Sequence, residues 1–282
     1  MSLSVVAEVA QVRSFVHSVR QAGRRVGFVP TMGALHAGHR SLLEAARREC
    51  DIVLASIFVN PTQFAPTEDL SKYPRTLEAD LAMCREAGVD VVYHPAVETM
   101  YPPGATAFVE VAGLSTVLEG KFRPTHFRGV ATVVTQLFNI VTPDIAYFGQ
   151  KDYQQQAIIR RMCRDLHLPV EIRVCPTVRE PDGLALSSRN VFLSQAERQA
   201  ALALSRSLRL ARERLSAGET RLDPIRQAMY DLLSSTPLVT VDYATLIHPD
   251  TLEELEVAEP SVVAIVAARV GATRLIDNEI IS

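Results

Sequence analysis

His36 and His39 stand three residues apart in the run Val26-Gly-Phe-Val-Pro30-Thr-Met-Gly-Ala-Leu-His36-Ala-Gly-His39, where an apolar stretch meets a small-residue turn and then a helical pattern. At the start of a helix, side chains three apart share a face. That helix end also offers main-chain N–H groups without internal partners and the positive end of the macrodipole, which together suit a phosphate chain. Gly33 carries no Cβ, so the chain can turn there and come close to a ligand. Spacing alone leaves a solvated helix face or a zinc pair open. Zinc is the weaker of the two, because His-x-x-His lacks the Glu of a metalloprotease helix and no cysteine is close by.

Other polar residues fall where an open α/β sheet presents ligands, at the carboxyl ends of its strands. Asn60 and Gln63 follow an apolar run, and their amides suit a hydroxy acid; Asn60 alone reads equally as a turn residue. Lys151 and Asp152 follow the run Ile145 to Gly149, as a surface ion pair or as ligand contacts. Of 29 basic residues only Lys72, Lys121 and Lys151 are lysines, which favours a role for Lys151. Gln154, Gln155 and Gln156 follow on one helical turn and cannot all face one way. Residues 121–129 pack Lys121, Arg123, His126 and Arg128 ahead of a helix, a second arrangement suited to an anion. Asp80, on a helix capped by Thr76, could reach a metal through water or stand as an exposed carboxylate.

The elements that position these residues follow from apolar periodicity. Val5, Val9, Val12, Phe15, Val16 and Val19 predict an amphipathic helix over 4–22. Strands are expected at 26–30, 51–59, 89–93, 108–111, 145–149 and 170–175, with helices at about 37–49, 76–87, 130–141 and on to His167. The nearly continuous apolar strands suit a parallel sheet covered on both faces. After Pro176 a polar loop, 179–190, reads as a lid, Ser194-x-x-Glu197 is a capping box opening a helix to about 216, and a second helix fills 222–235. Strands at 239–243 and 261–270 complete this half. The fold class expected is α/β, a Rossmann-like doubly wound parallel sheet over 1–176 with a smaller C-terminal α+β domain over 177–282.

Composition excludes several classes. The chain has 282 residues, 48% of them hydrophobic, enough for a sizeable core. A net charge of −3 advertises no basic surface for nucleic acid or anionic membrane. The apolar run at the N-terminus has no basic flank and is broken by Glu8, so no signal peptide is expected, and no stretch reaches membrane-spanning length. Cys50, Cys84, Cys163 and Cys175 are scattered, which predicts reduced thiols in a cytoplasmic protein.

Five segments together carry a resemblance: Pro30-Thr-Met-Gly-Ala-Leu-His-Ala-Gly-His39, Phe58-Val-Asn-Pro-Thr-Gln-Phe64, Arg123-Pro-Thr-His-Phe-Arg-Gly129, Phe148-Gly-Gln-Lys-Asp-Tyr-Gln-Gln155 and Leu186-Ser-Ser-Arg-Asn190. In order and spacing they resemble the successive signatures of the pantothenate synthetases, over residues 26–282. The first and last also resemble the HIGH and KMSKS elements of the wider nucleotidylyltransferase group.

The resemblance implies an ATP-dependent ligase that joins pantoate to β-alanine through a pantoyl adenylate, releasing AMP and pyrophosphate. It carries ATP contacts onto Met32, His36, His39, Gly149, Lys151, Asp152, the main chain of Val178, and Ser187, Ser188 and Arg189. It assigns His39 the place of proton donor, and assigns pantoate to Gln63 and Gln155 with a share from His126. It also implies a homodimer. Charge develops on the β,γ-pyrophosphate leaving group as the α-phosphorus is attacked, so His36, His39, Lys151 and Arg189 would act there as cations. Mg²⁺ would bridge phosphate oxygens with few protein ligands. Three residues depart from the family pattern: Thr62 and Leu186 where methionine is usual, and Gln150 where an acid is common. The competing readings are a nucleotidylyltransferase acting on another small acceptor, and a nucleotide-binding regulatory protein. The neutral Gln63 and Gln155 argue against a phosphate-bearing acceptor, and the intact set His39, Lys151 and Arg189 argues against binding alone.

Overall fold

A computed structural model describes residues 3–64 and 70–282. Contacts divide the chain into two units, Met1–Gly149 with Gln155–Pro176, and Gln150–Gln154 with Thr177–Ser282. The short turn holding Lys151 therefore groups with the C-terminal residues, which a single cut at 176 does not provide for.

The first unit runs β1 (Ser4–Val6), α1 (Val9–Gln21), β2 (Val26–Thr31), α2 (Ala37–Glu49), β3 (Ile52–Ile57), α3 (Leu77–Glu86), β4 (Val91–Tyr93), α4 (Val97–Met100), α5 (Glu119–Phe122), α6 (His126–Val141), β5 (Ile145–Gly149), α7 (Tyr153–Asp165) and β6 (Glu171–Cys175). Its six strands form one parallel sheet in the order β1-β4-β3-β2-β5-β6. Successive side chains of a strand point to opposite faces. Phe28 and Leu54 accordingly bury with Val12 and Val16 of α1 and Val134 and Leu137 of α6. Their neighbours Val29, Val53 and Ala55 bury on the other face with Leu42, Leu43 and Ala46 of α2 and Cys84 of α3. The sheet is thus wound on both faces, and its order reverses between β2 and β5. Ligands bind such sheets at the carboxyl ends of the strands flanking that reversal.

The second unit holds α8 (Gln195–Ser216), α9 (Asp223–Ser234), β7 (Val239–Ile247), β8 (Val262–Val270) and β9 (Thr273–Ile281). The three strands are antiparallel in the order β7-β8-β9. Leu204 and Leu208 of α8 and Ile225 and Met229 of α9 bury against Val262, Ala264 and Val266 of β8. Ser194 and Glu197 form the reciprocal cap of α8, with Ser194 N–H donating to Glu197 at 2.8 Å and Glu197 N–H donating to Ser194 Oγ at 3.3 Å.

Three expectations need correction. Residues 4–6 form an edge strand beside β4 rather than the first turn of α1, which starts after Glu8. Val5 is exposed, so it never belonged to the buried stripe of Val12, Val16 and Val19. Residues 108–111 are not a strand: Val109 N–H donates to Thr132 Oγ1 at 2.9 Å, so a side chain of α6 takes the place of a ladder partner. Phe108 is exposed beneath the Arg128 guanidinium, 5.0 Å from the ring centre. Finally, β9 was not expected, because Arg274, Asp277 and Glu279 interrupt its apolar pattern. Among the described residues no helix is long and apolar enough to cross a membrane. All four cysteines are buried and unpaired.

Candidate active site

The turn after β2 is built by two buried side chains, Thr31 and Asp80. Thr31 Oγ1 donates to the Ser56 carbonyl at 2.7 Å and accepts from Gly33 N–H at 3.2 Å. Gly33 and Ala34 then both adopt positive φ, at 83° and 51°. Alanine tolerates that region poorly, so its surroundings must hold it there. Asp80 of α3 does so: its carboxylate accepts from Ala34 N–H at 3.0 Å and Leu35 N–H at 2.8 Å, with Thr76 Oγ1 donating at 3.1 Å. Asp80 is only 2% exposed, which corrects the alternative of a solvated helix carboxylate. Both of its oxygens are committed to these donors. Among the described residues no group of three or more His, Cys, Asp or Glu is placed to hold a metal.

The turn delivers His36 as the N-cap of α2. His36 Nδ1 accepts from Gly38 N–H at 3.1 Å, while His36 N–H donates to His39 Nδ1 at 3.3 Å. This is a capping box with imidazoles in both places usually taken by a hydroxyl and a carboxylate. Because each Nδ1 accepts, the proton of each neutral ring sits on Nε2. The ring centres lie 4.2 Å apart. Gly38 is required by the same geometry, since a Cβ there would stand 2.8 Å from His36 Cε1. The spacing His-x-Gly-His thus fixes two Nε2–H donors beside the positive end of a helix.

After β3, Asn60 is 1% exposed and organises a second cluster. Its Nδ2 donates to Gln63 Oε1 and to the Gly129 carbonyl, both at 3.1 Å, and its Oδ1 accepts from Tyr101 Oη at 2.8 Å. Burial pushes the Tyr101 phenol above its usual range, so it stays a neutral donor. Gln63 Nε2 in turn lies against Met32 Sδ. His126 Nδ1 donates to the Gln63 carbonyl at 2.9 Å and its Nε2 accepts from Arg123 at 3.1 Å, the opposite tautomer to His36 and His39. A Cβ at Gly129 would lie 2.5 Å from the Thr62 carbonyl, so α6 packs onto this turn only because that residue is glycine. Gln155 is partly exposed, between the buried Gln154 and Gln156.

In the second unit Lys151 is half-buried and Asp152 exposed. The 179–190 segment is a hairpin rather than a featureless loop. Glu180 N–H donates to the Leu184 carbonyl at 2.8 Å and Leu186 N–H to the Val178 carbonyl at 3.0 Å. Arg198 of α8 bonds both Glu180 and Asp182, and holds the Asp182 carboxylate below its usual range. Ser187 Oγ accepts from Arg189 N–H at 3.2 Å, capping a short turn over Ser188–Phe192 on which Arg189 is exposed.

A family model for pantoate-β-alanine ligase matches residues 4–280. The chain belongs to the pantoate-β-alanine ligase family. It is 52% identical over 279 residues to the pantothenate synthetase of Moorella thermoacetica, covering 99% of each chain. To that of Acidobacterium capsulatum it is 57% identical over 255 residues, covering 90% of this chain and 85% of the relative. Among solved structures, the pantothenate synthetase of Thermus thermophilus superposes with a TM-score of 0.93 at 49% identity, covering 98% of each chain. The pantoate-β-alanine ligase of Francisella tularensis, complexed with β,γ-ATP and β-alanine, superposes with a TM-score of 0.80 at 34% identity, covering 99% of this chain and 97% of that one. Like these ligases, the chain pairs a six-stranded parallel sheet with a small antiparallel one.

Sequence reasoning did not find Asp80 as the support of the His36 turn, nor Tyr101 as the donor behind Asn60. A signal existed for the first: a turn at Gly33-Ala34 leaves the successive N–H groups of Ala34 and Leu35 in need of an acceptor. For Tyr101, 41 residues from Asn60, local pattern offers none.

Proposed function

We propose that this ligase condenses pantoate with β-alanine at the expense of ATP, through an enzyme-bound pantoyl adenylate. The observation that carries the reading is the histidine capping box, which sets two imidazoles protonated at Nε2 beside a helix N-terminus. A pantoate carboxylate oxygen attacks the α-phosphorus, the bond from that phosphorus to the bridging oxygen breaks, and pyrophosphate leaves with the electron pair. Donors fixed before the reaction stabilise that growing charge without reorganising. His36 and His39 serve there, as do Lys151, Arg189 and the Ser187–Ser188 turn, with Met32, Gly149, Asp152 and the main chain of Val178 completing the nucleotide contacts. The amine of β-alanine then attacks the adenylate carbonyl, the carbon–oxygen bond to phosphate breaks, and AMP departs as the amide forms and the amine loses a proton.

Gln63 and Gln155 hold pantoate through neutral amides, with Asn60 fixing the Gln63 side chain and His126 its main chain. This assignment gives His126 an indirect part, since both its ring nitrogens have partners in the protein. Among the described residues no protein cage for Mg²⁺ is built, and both Asp80 oxygens are engaged by the His36 turn and Thr76. Mg²⁺ brought in with ATP would supply charge neutralisation, needing few protein ligands. Four buried thiols agree with a reducing cytoplasm, and we assign the protein there as a homodimer.

The test is release of AMP and pyrophosphate by purified protein with Mg-ATP and pantoate, with and without β-alanine. Sustained release only with β-alanine, accompanied by pantothenate, is the expected result. Sustained release without the amine, or none with it, returns the chain to the nucleotidylyltransferase or binding-protein readings.

A further inference from the structure

A buried polar pair on β9 has no role in the site described above. Asp277 and Asn278 are adjacent on β9 and only 2% and 1% exposed. Asn278 Nδ2 donates to two successive main-chain carbonyls, of Gln150 at 3.0 Å and of Lys151 at 2.8 Å, while its Oδ1 accepts from Gln150 Nε2 at 3.4 Å. The Asp277 carboxylate receives both terminal nitrogens of Arg179, at 2.6 and 2.9 Å, and accepts from Asn278 N–H at 2.8 Å. Arg179 also donates to the Gly183 carbonyl at 3.1 Å, inside the hairpin that leads to Ser187 and Arg189.

Two neighbouring side chains of one strand therefore grip both segments of this unit that the proposed function assigns to ATP. Burying an amide and a carboxylate costs free energy unless every polar atom is paired. A well-packed apolar pair fills a core at least as favourably. A polar pair whose donors and acceptors end on these particular carbonyls and this guanidinium has a geometric use instead. We propose that Asn278 is a positioning residue for Lys151, fixing the main chain from which the ammonium reaches the nucleotide. The Asp277–Arg179 pair fixes the root of the 179–190 hairpin in the same frame, so that both segments keep one spacing. This rests on the reading that Lys151 and the Ser187–Arg189 turn contact ATP.

The experiment is pantoate-dependent exchange of labelled pyrophosphate into ATP, measured for the parent enzyme, Lys151→Ala, Asn278→Asp and the double variant. Asn278→Asp keeps the shape but turns a donor into a carboxylate facing two carbonyls. Misplacing a catalytic group by an ångström lowers rates by about 100-fold, so exchange in Asn278→Asp should fall roughly 10- to 100-fold, with the KM for ATP raised and the β-alanine step unchanged on preformed pantoyl adenylate. In the Lys151→Ala background Asn278→Asp should cause no further loss, because residues acting as one unit are non-additive. Equal losses in both backgrounds, or normal exchange in Asn278→Asp while Lys151→Ala is impaired, overturns the positioning role and leaves the parent reading intact. Normal exchange in Lys151→Ala overturns the parent reading, and this inference with it. If the carboxylate prevents folding, Asn278→Ser, which keeps a donor, carries the same cycle.

Discussion

A histidine whose Nδ1 accepts from a main-chain N–H at a helix start has its tautomer chosen by the main chain. His39→Ala should therefore lower kcat by about 10²–10⁴-fold, the usual range for a positioned proton-transfer group, with a small effect on melting. Near-parental turnover would remove His39 from the chemistry. Asp80→Asn tests the support of the same turn: one oxygen facing an N–H becomes an amide donor, and loss of a charge-assisted bond costs about 1.5–3 kcal/mol. Urea unfolding together with kcat should show both falling, and unchanged kcat would confine Asp80 to stability. His36, His39, Gln63 and Lys151 were legible as residue types at carboxyl strand ends. The acceptor role of Asp80, 44 residues from His36, was not, because the α3 sequence alone cannot say which oxygen meets which N–H.

Close approach between elements is set by what is missing. A Cβ at Gly129 would meet the Thr62 carbonyl at 2.5 Å and Gln63 Cα at 2.6 Å, so Gly129→Ala must push α6 off the turn that carries Gln63. Overpacking of this kind costs about 1–3 kcal/mol. The expected signature is a lower melting temperature with a raised KM for pantoate and little change in the KM for ATP; equal changes in both would show that the displacement spreads beyond this turn. The 179–190 hairpin has a pH signature as well. Arg198 depresses the folded pKa of Asp182, so the stabilisation is present above the unfolded carboxylate range and is lost as pH falls through the folded value. Amide exchange at Glu180 and Leu186, corrected for intrinsic rates, should accelerate as the pH drops below about 4. Protection that stays flat with acid would show Arg198 to be dispensable there. Helices with strict apolar periodicity were legible within a few residues. The strands β1 and β9 were not, since β1 carries an exposed Val5 and β9 carries the charged residues that pair with Asp242 and Arg179.

At the scale of the whole chain, a reduced interior makes a chemical prediction. Burial pushes the Cys84 and Cys163 thiols up to about 11, and raises Cys50 and Cys175 as well. Thiolate is the reactive form, so the native protein at pH 8 should react with a disulfide reagent far more slowly than the urea-unfolded chain, which exposes all four. Fast native labelling of even one would place it outside the core. The doubly wound class was legible because β3 reads as a nearly continuous apolar run, which suits a parallel sheet covered on both faces, whereas the strand order came only from the structure. The same order has a consequence for a chain being made from its N-terminus. β2 is the neighbour of β3, but its other partner, β5, begins only at Ile145. Until that residue has emerged, the centre of the finished sheet is a border, with the main chain of Gly27 and Phe28 open to any other extended segment. Nascent or truncated chains ending near residue 143 should consequently self-associate, while those that include residues 145–149 and their α7 cover should not.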